Sequence, residues 1–224
     1  MKTDERRRAR ELRADGWSVK EIHEALGVSR SSVSLWVRDV SLTEEQRRAL
    51  ANRMREGPLV AGERSAAAAR AIRRTHQAEG RRLARERDDS YAAGCMLYWA
   101  EGSKKRNRVC LVNSDPELVV FFARFLRAHF NVRPEQMRVT CNLFADHSDR
   151  QREIESFWLA ALELPDSSLM KSTVNVYSKY SIKKRAGKLP YGTCSLVVHS
   201  TRIVQTIYGS IQEYGGFERA AWLD

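Results

Sequence analysis

The chain has 224 residues, with 39 Lys+Arg against 28 Asp+Glu and a formal net charge of +11. Its 42% hydrophobic and 30% charged residues can bury a core, which excludes a disordered tail. The longest apolar run, residues 91–100, falls short of the ~18–20 residues a membrane span requires, and Met1-Lys2-Thr3-Asp4-Glu5 opens no secretory leader. Cys95, Cys110, Cys141 and Cys194 lie far apart with no CxxC pair. That spacing points to reduced thiols in a cytoplasmic protein, not a disulfide framework or a zinc finger. A basic chain of this kind suits a polyanionic partner, most simply nucleic acid.

The charge is uneven. Residues 1–88 hold 21 Lys+Arg and 14 Asp+Glu, and the remainder 18 and 14. Strand signals are nearly absent from the first part and alternate with helical ones in the second. The expected fold class is α+β, in three parts: a small all-α module at 1–42, a basic Ala/Arg/Glu-rich helical connector at 43–88, and a larger α/β domain at 89–224.

In the first module, Ala9, Leu12 and Arg13 precede a break at Gly16-Trp17. Ser18-Val19-Lys20-Glu21 is a capping box, in which serine and glutamate satisfy two orphan amides reciprocally. The helix it opens, Val19–Leu26, sets Val19, Ile22 and Leu26 on one face, and Gly27 closes it as a left-handed cap. Ser29 caps a third helix over 30–40, whose apolar stripe is Val33, Trp36 and Val37.

The spacing Ile22, Leu26-Gly27-Val28-Ser29, Val33, Trp36 resembles the resolvase and invertase type of helix-turn-helix. In such a motif the apolar residues lock two helices at a steep angle, and the free face of the second enters a major groove. The resemblance implies that Arg30, Ser31, Ser34, Leu35 and Arg38 face DNA, and that Ser29 with the helix N-terminus holds a phosphate. His23 stands where these motifs usually carry alanine; its ring either widens the crossing angle or turns outward. Trp36 is read as core and not as a base-stacking residue.

The connector opens with a second capping box, Thr43-Glu44-Glu45-Gln46, and is expected to break at Gly57-Pro58. Residues 63–87 are strong helix formers without an aromatic, a solvated helix or one lying along a partner, across DNA or in a dimer. The third part begins with a strongly apolar helix, Asp89–Glu101, followed by a strand at 108–113. Ser114-Asp115-Pro116-Glu117 starts a helix over 117–130, with proline at its first position. A strand at 137–145, a helix at 153–164 ended by Pro165, strands at 173–178 and 193–199, and a helix at 201–214 complete the order.

Within the apolar helix, Gly94-Cys95-Met96-Leu97-Tyr98-Trp99-Ala100-Glu101-Gly102-Ser103 resembles a divergent LAGLIDADG motif of homing endonucleases. The resemblance covers about residues 90–214. It implies a saddle-shaped domain in which Glu101 matches the metal-binding acid and Gly102 the turn into the first strand. It also implies Mg²⁺ as cofactor if the protein is a nuclease, and none otherwise. Only one acidic motif is visible. Ser156 to Pro165 lies where a second would stand, in a degenerate repeat from about 150, and there Glu163 precedes Leu164-Pro165 where a glycine is usual. A nuclease would then need a homodimer to pair two Glu101 carboxylates. The WhiA type of regulator joins such a degenerate domain to a helix-turn-helix and acts in transcription.

Two basic runs, Lys104-Lys105-Arg106-Asn107-Arg108 and Lys179 to Lys188 with Lys183, Lys184 and Arg185, are expected to hold phosphates. Tyr177 and Tyr180 beside the second are read as partly buried rings. His129, His147 and His199 show no zinc-ligand spacing with Cys110 and Cys141. The expected function is sequence-specific binding of double-stranded DNA by a cytoplasmic, nucleoid-associated transcriptional regulator, with no membrane partner. The alternatives are a Mg²⁺-dependent homing-type endonuclease using Glu101, and a protein-interaction module.

Overall fold

The structure, a computed structural model, describes residues 2–86, 88–175 and 189–224. The chain divides into two compact units, Met1–Ala68 and Ala69–Asp224.

The first unit contains α1 (Lys2–Ala14), α2 (Val19–Leu26), α3 (Arg30–Val37) and the first part of α4 (Glu44–Glu86). Both halves of the α2 capping box are made. Glu21 N donates to Ser18 Oγ at 3.1 Å, and Ser18 N donates to Glu21 Oε2 at 2.7 Å. Gly27 ends α2 at φ +66°, a left-handed conformation that costs a side chain about 1–2 kcal/mol. Ala9, Leu12, Ile22, Val33 and Val37 form the core, with Val19, Leu26, Val28, Trp36 and Val40 packed against it. Burial of each aliphatic side chain contributes roughly 1.5–3 kcal/mol, enough to hold short helices that would not persist alone.

The third helix ends at Val37, not at 40 as its periodicity suggests, because α1 captures its C-terminus. Arg10 Nη1 donates to the Trp36 carbonyl at 2.9 Å and to Asp39 Oδ1 at 2.6 Å, while Nη2 donates to Asp39 Oδ2 at 3.0 Å. This fork holds the Asp39 carboxyl below its ordinary range, first through the hydrogen bond with Arg10. The second capping box is also made, Thr43 N donating to Gln46 Oε1 and Gln46 N to Thr43 Oγ1.

The expected break at Gly57-Pro58 is corrected: α4 runs as one helix from Glu44 to Glu86. A proline costs a helix interior about 3 kcal/mol. Strong helix formers on both sides, and the packing of each end into its own unit, outweigh that loss.

In the second unit the last part of α4 joins α5 (Asp89–Glu101), β1 (Val109–Asn113), α6 (Pro116–Phe130), β2 (Met137–Phe144), α7 (Gln151–Ala161), β3 (Thr173–Asn175), β4 (Thr193–Val198) and α8 (Thr201–Gly215). The four strands form one sheet in the order β1-β4-β2-β3, with β4 antiparallel to both neighbours and β2 parallel to β3. Residues beyond 150 thus add two strands to the sheet that β1 and β2 belong to. The α7 helix stops at Ala161, earlier than 164, where the chain turns back and Leu164 N donates to the Leu159 carbonyl at 2.9 Å. Glu163 takes φ +52° just outside it.

One sheet face is apolar. Val109, Leu111, Met137, Val139, Cys141, Leu143, Cys194, Leu196 and Val198 join the aromatic side chains of α5, α6, α7 and α8 in the core. Trp158 is fully buried, and its Nε1 donates to the Tyr191 carbonyl at 2.9 Å.

The end of α4 is neither solvated nor left for a partner, as its composition suggests. Arg73, Gln77, Gly80 and Ala84 are buried at helical spacing, and α8 is buried from Ile203 to Gln212. The contact is polar. Gln77 Nε2 donates to Gln205 Oε1 at 2.7 Å, Gln212 Nε2 donates to Gln77 Oε1 at 3.0 Å, and Ser210 Oγ donates to the Gly80 carbonyl at 2.8 Å.

All four cysteines are free and buried. Burial pushes the Cys95 thiol up to about 12 and that of Cys141 up to about 11. An unfolded chain sheds thiol protons from about pH 8.5, whereas the folded unit keeps them. The stability that protonated, buried thiols contribute is therefore full below about pH 8.5 and falls as pH rises toward about 12. Urea midpoints should decline through that window, and a thiol reagent at neutral pH should label the protein only as it unfolds. Rapid labelling of the native protein would contradict this placement of the thiols.

Candidate nucleic-acid interface

The first unit sorts its cations into two groups. Arg7 and Arg8 pair with Glu11, Arg10 with Asp39, Lys20 with Glu24, and Arg47 and Arg48 with Glu44. Arg13 donates to the Trp17 carbonyl at 2.7 Å and Arg53 to the Gly16 carbonyl at 3.0 Å, which fixes the corner between α1 and α2. Arg30 and Arg38 belong to the other group, with the exposed Arg6 and Arg64. Arg30 and Arg38 are exposed, and neither side chain makes an intrachain hydrogen bond or ion pair among the described residues.

Ser31, Ser34 and Leu35 are exposed as well, so the five residues expected to face DNA share the solvent side of α3. The opposite side, Val33 and Val37, lies in the core. Ser29 is used locally: its Oγ accepts from Ser32 N at 3.2 Å and lies 3.1 Å from Ser31 Oγ. His23 is half-buried and turned to the turn between the helices, where its Nδ1–H donates to the Val28 carbonyl at 2.6 Å. That bond ties the end of α2 to the residue before the α3 cap. Trp36 packs against the core, in agreement with its reading as a structural residue.

In the second unit Glu101 is exposed at the end of α5, and Asn113 Nδ2 donates to its Oε2 at 3.3 Å. Gly102 has an ordinary extended backbone, φ −75° and ψ 146°. Glycine is needed there for closeness, since a Cβ would lie 2.3 Å from the Tyr98 ring. Lys105, Arg106 and Arg108 are exposed, but the loop that carries them is fixed from beneath. Tyr208 OH donates to the Lys105 carbonyl at 2.9 Å, and Gln205 Nε2 to the Arg106 carbonyl at 2.9 Å.

Lys104 is engaged within the fold. Its Nζ donates to the carbonyls of Trp99 at 2.8 Å and Gly102 at 2.6 Å, satisfying the negative end of α5. Burial there lowers its ammonium from the ordinary lysine value, with Arg219 adding to the effect and Glu101 opposing it. Lys183, Lys184 and Arg185, with Tyr177, Tyr180 and the rest of the second basic run, lie outside the described residues.

A polar surface lies beyond the residues that the sequence motifs single out. Arg138, Thr140 and Asn142 of β2 and Thr193 and Ser195 of β4 are half-buried on the sheet face opposite the core, Thr140 beside Ser195 and Asn142 beside Thr193. Its signal is the strict alternation of Met137–Phe144, where every second residue is turned from the core. At the Met137 end, a cleft of about 530 Å³ lined by Arg138, His199, Ser200 and Arg202 adjoins the N-terminus of α8. Among the described residues no three His, Cys, Asp or Glu side chains gather to hold a metal ion.

Three short helices, a glycine corner and an outward helix face define a helix-turn-helix DNA-binding module. A family model described as a homeodomain-like domain matches residues 1–45. No curated protein and no solved structure matches the chain. No helix among the described residues is long and apolar enough to cross a membrane.

Proposed function

We propose that this chain is a sequence-specific double-stranded DNA-binding protein and a transcriptional regulator, nucleoid-associated in the cytoplasm. The observation that carries this reading is the free pair Arg30 and Arg38 on the solvent side of α3, in a unit where most other arginines are paired. Unpaired guanidinium groups beside exposed hydroxyls suit phosphates and base edges in a major groove. On this reading Arg30, Ser31, Ser34, Leu35 and Arg38 face the DNA, and Lys105, Arg106 and Arg108 add phosphate contacts.

We read residues 89–224 as a catalytically degenerate LAGLIDADG-like domain that grips duplex backbone, behind a module at 1–42 and a connector at 43–88. The apolar helix ending in Glu101-Gly102 and leading into a strand supports this, as does the polar sheet face. A homodimer through this domain is part of the same proposal. Within one chain Glu101 has an amide beside it and a lysine ammonium nearby, a donor set that does not make a Mg²⁺ cage.

Selection of bound duplexes from a random pool by the full chain tests the reading. A recurrent motif bound with steep salt dependence is expected. Recovery of random sequence, or affinity indifferent to salt, would sink it. A plasmid assay with Mg²⁺ separates regulator from nuclease. We expect no nicking by the wild type, whereas nicking lost in Glu101→Gln with binding retained would establish the nuclease.

A further inference from the structure

The solvent side of α3 is polar except at one position. Leu35 is 60% exposed, between Ser31 and Ser34 on one side and Arg38 on the other. The small core of this unit is completed without it by Ala9, Leu12, Ile22, Val33 and Val37, so its isobutyl group adds little to the free module. An α-helix places residues 31, 34, 35 and 38 along one stripe about 10 Å long, within the length of helix that a major groove admits. In that groove the bases present one apolar group, the C5 methyl of thymine; the other groups are hydrogen-bond donors and acceptors. The serines and the arginine have partners among those donors and acceptors, and the leucine does not.

We infer that Leu35 is a specificity-determining residue that reads the C5 methyl of a thymine in the bound site. This rests on the DNA-binding reading of α3. The contact would also distinguish the chain's target from a sequence carrying uracil, since uracil is thymine without that methyl. The same methyl on 5-methylcytosine fills the same space.

The test uses the full chain and the duplex recovered by selection from a random pool. Each thymine of the motif is replaced in turn by deoxyuridine, which removes one methyl and leaves every hydrogen-bonding edge intact. Removing one buried methyl should weaken wild-type binding about four-fold at one or two adjacent positions. Leu35→Ala should bind the thymine duplex more weakly and show no penalty for deoxyuridine at those positions, while Leu35→Met keeps part of it. Leu35 is exposed, so both variants should retain the wild-type melting temperature. A flat deoxyuridine scan in the wild type, or a penalty that persists in Leu35→Ala, overturns the inference while leaving DNA binding intact. A wild-type chain that recovers no duplex overturns it together with the reading on which it rests.

Discussion

Gly209→Val and Gly80→Val are each expected to unfold the second unit or to lower its stability by at least about 4 kcal/mol. A Cβ at Gly209 would lie 2.0 Å from the Gln77 carbonyl oxygen and 2.7 Å from its carbon, and one at Gly80 would lie 2.0 Å from the Thr206 oxygen. These are backbone atoms of the facing helix, so no side-chain rotation relieves the overlap. The helices would have to separate, and separation breaks the bonds from Ser210 to Gly80 and among Gln77, Gln205 and Gln212. Each buried polar group left without a partner costs about 1–3 kcal/mol. A domain of this size has only about 5–15 kcal/mol of net stability to lose. Urea denaturation followed by circular dichroism measures the effect, with Gly27→Ala as a comparison. Gly27, unlike Gly80 and Gly209, has a left-handed φ, +66°, but nothing lies within 4 Å of its Cβ position, so the substitution there should cost only about 1–2 kcal/mol. If Gly209→Val stays within about 1 kcal/mol of wild type, the helices do not cross as closely as described.

That crossing was not legible in the sequence, and the reason is physical. Residues 63–87 look too polar to pack because a hydrophobic core is the usual signal of burial. Here the contact uses the absence of side chains at Gly80 and Gly209 and the self-complementary amides of three glutamines, which carry no periodic apolar signature. The end of α3 was hidden for a related reason. Arg10 and Asp39 are 29 positions apart, and only the folded module brings the fork to the last turn. What could be read was local: the Ser18–Glu21 and Thr43–Gln46 boxes, Gly27, and the proline that opens α6 each act within four residues. The polar sheet face was available in the alternation of β2, but the alternation names a face without saying what meets it. For the α3 face the stripe gave the residues, and the structure added which arginines have no other partner.

The double variant Arg30→Ala with Arg38→Ala is expected to lose about 2–6 kcal/mol of specific DNA binding, roughly 30-fold to 10⁴-fold in affinity, if each arginine reads a base. The two stand eight residues apart on the helix, about 12 Å, far enough for their losses to add. Neither is bonded to the rest of the chain among the described residues, so the variant should melt at the wild-type temperature. Arg10→Ala supplies the contrast: that guanidinium closes α1 onto the Trp36 carbonyl and Asp39, so its loss should lower stability before it touches the DNA face. Salt dependence then separates two roles. An arginine that neutralises a phosphate lowers the slope of log K against log salt by about 0.9 when removed and weakens all sequences alike. An arginine that reads guanine leaves most of that slope in place and relaxes the motif at one base pair. We expect the double variant to keep its non-specific, salt-driven affinity, to which the proposed reading has Lys105, Arg106 and Arg108 contribute, while its preference for the selected duplex collapses. A double variant with undiminished preference would remove the solvent side of α3 from the DNA-reading surface.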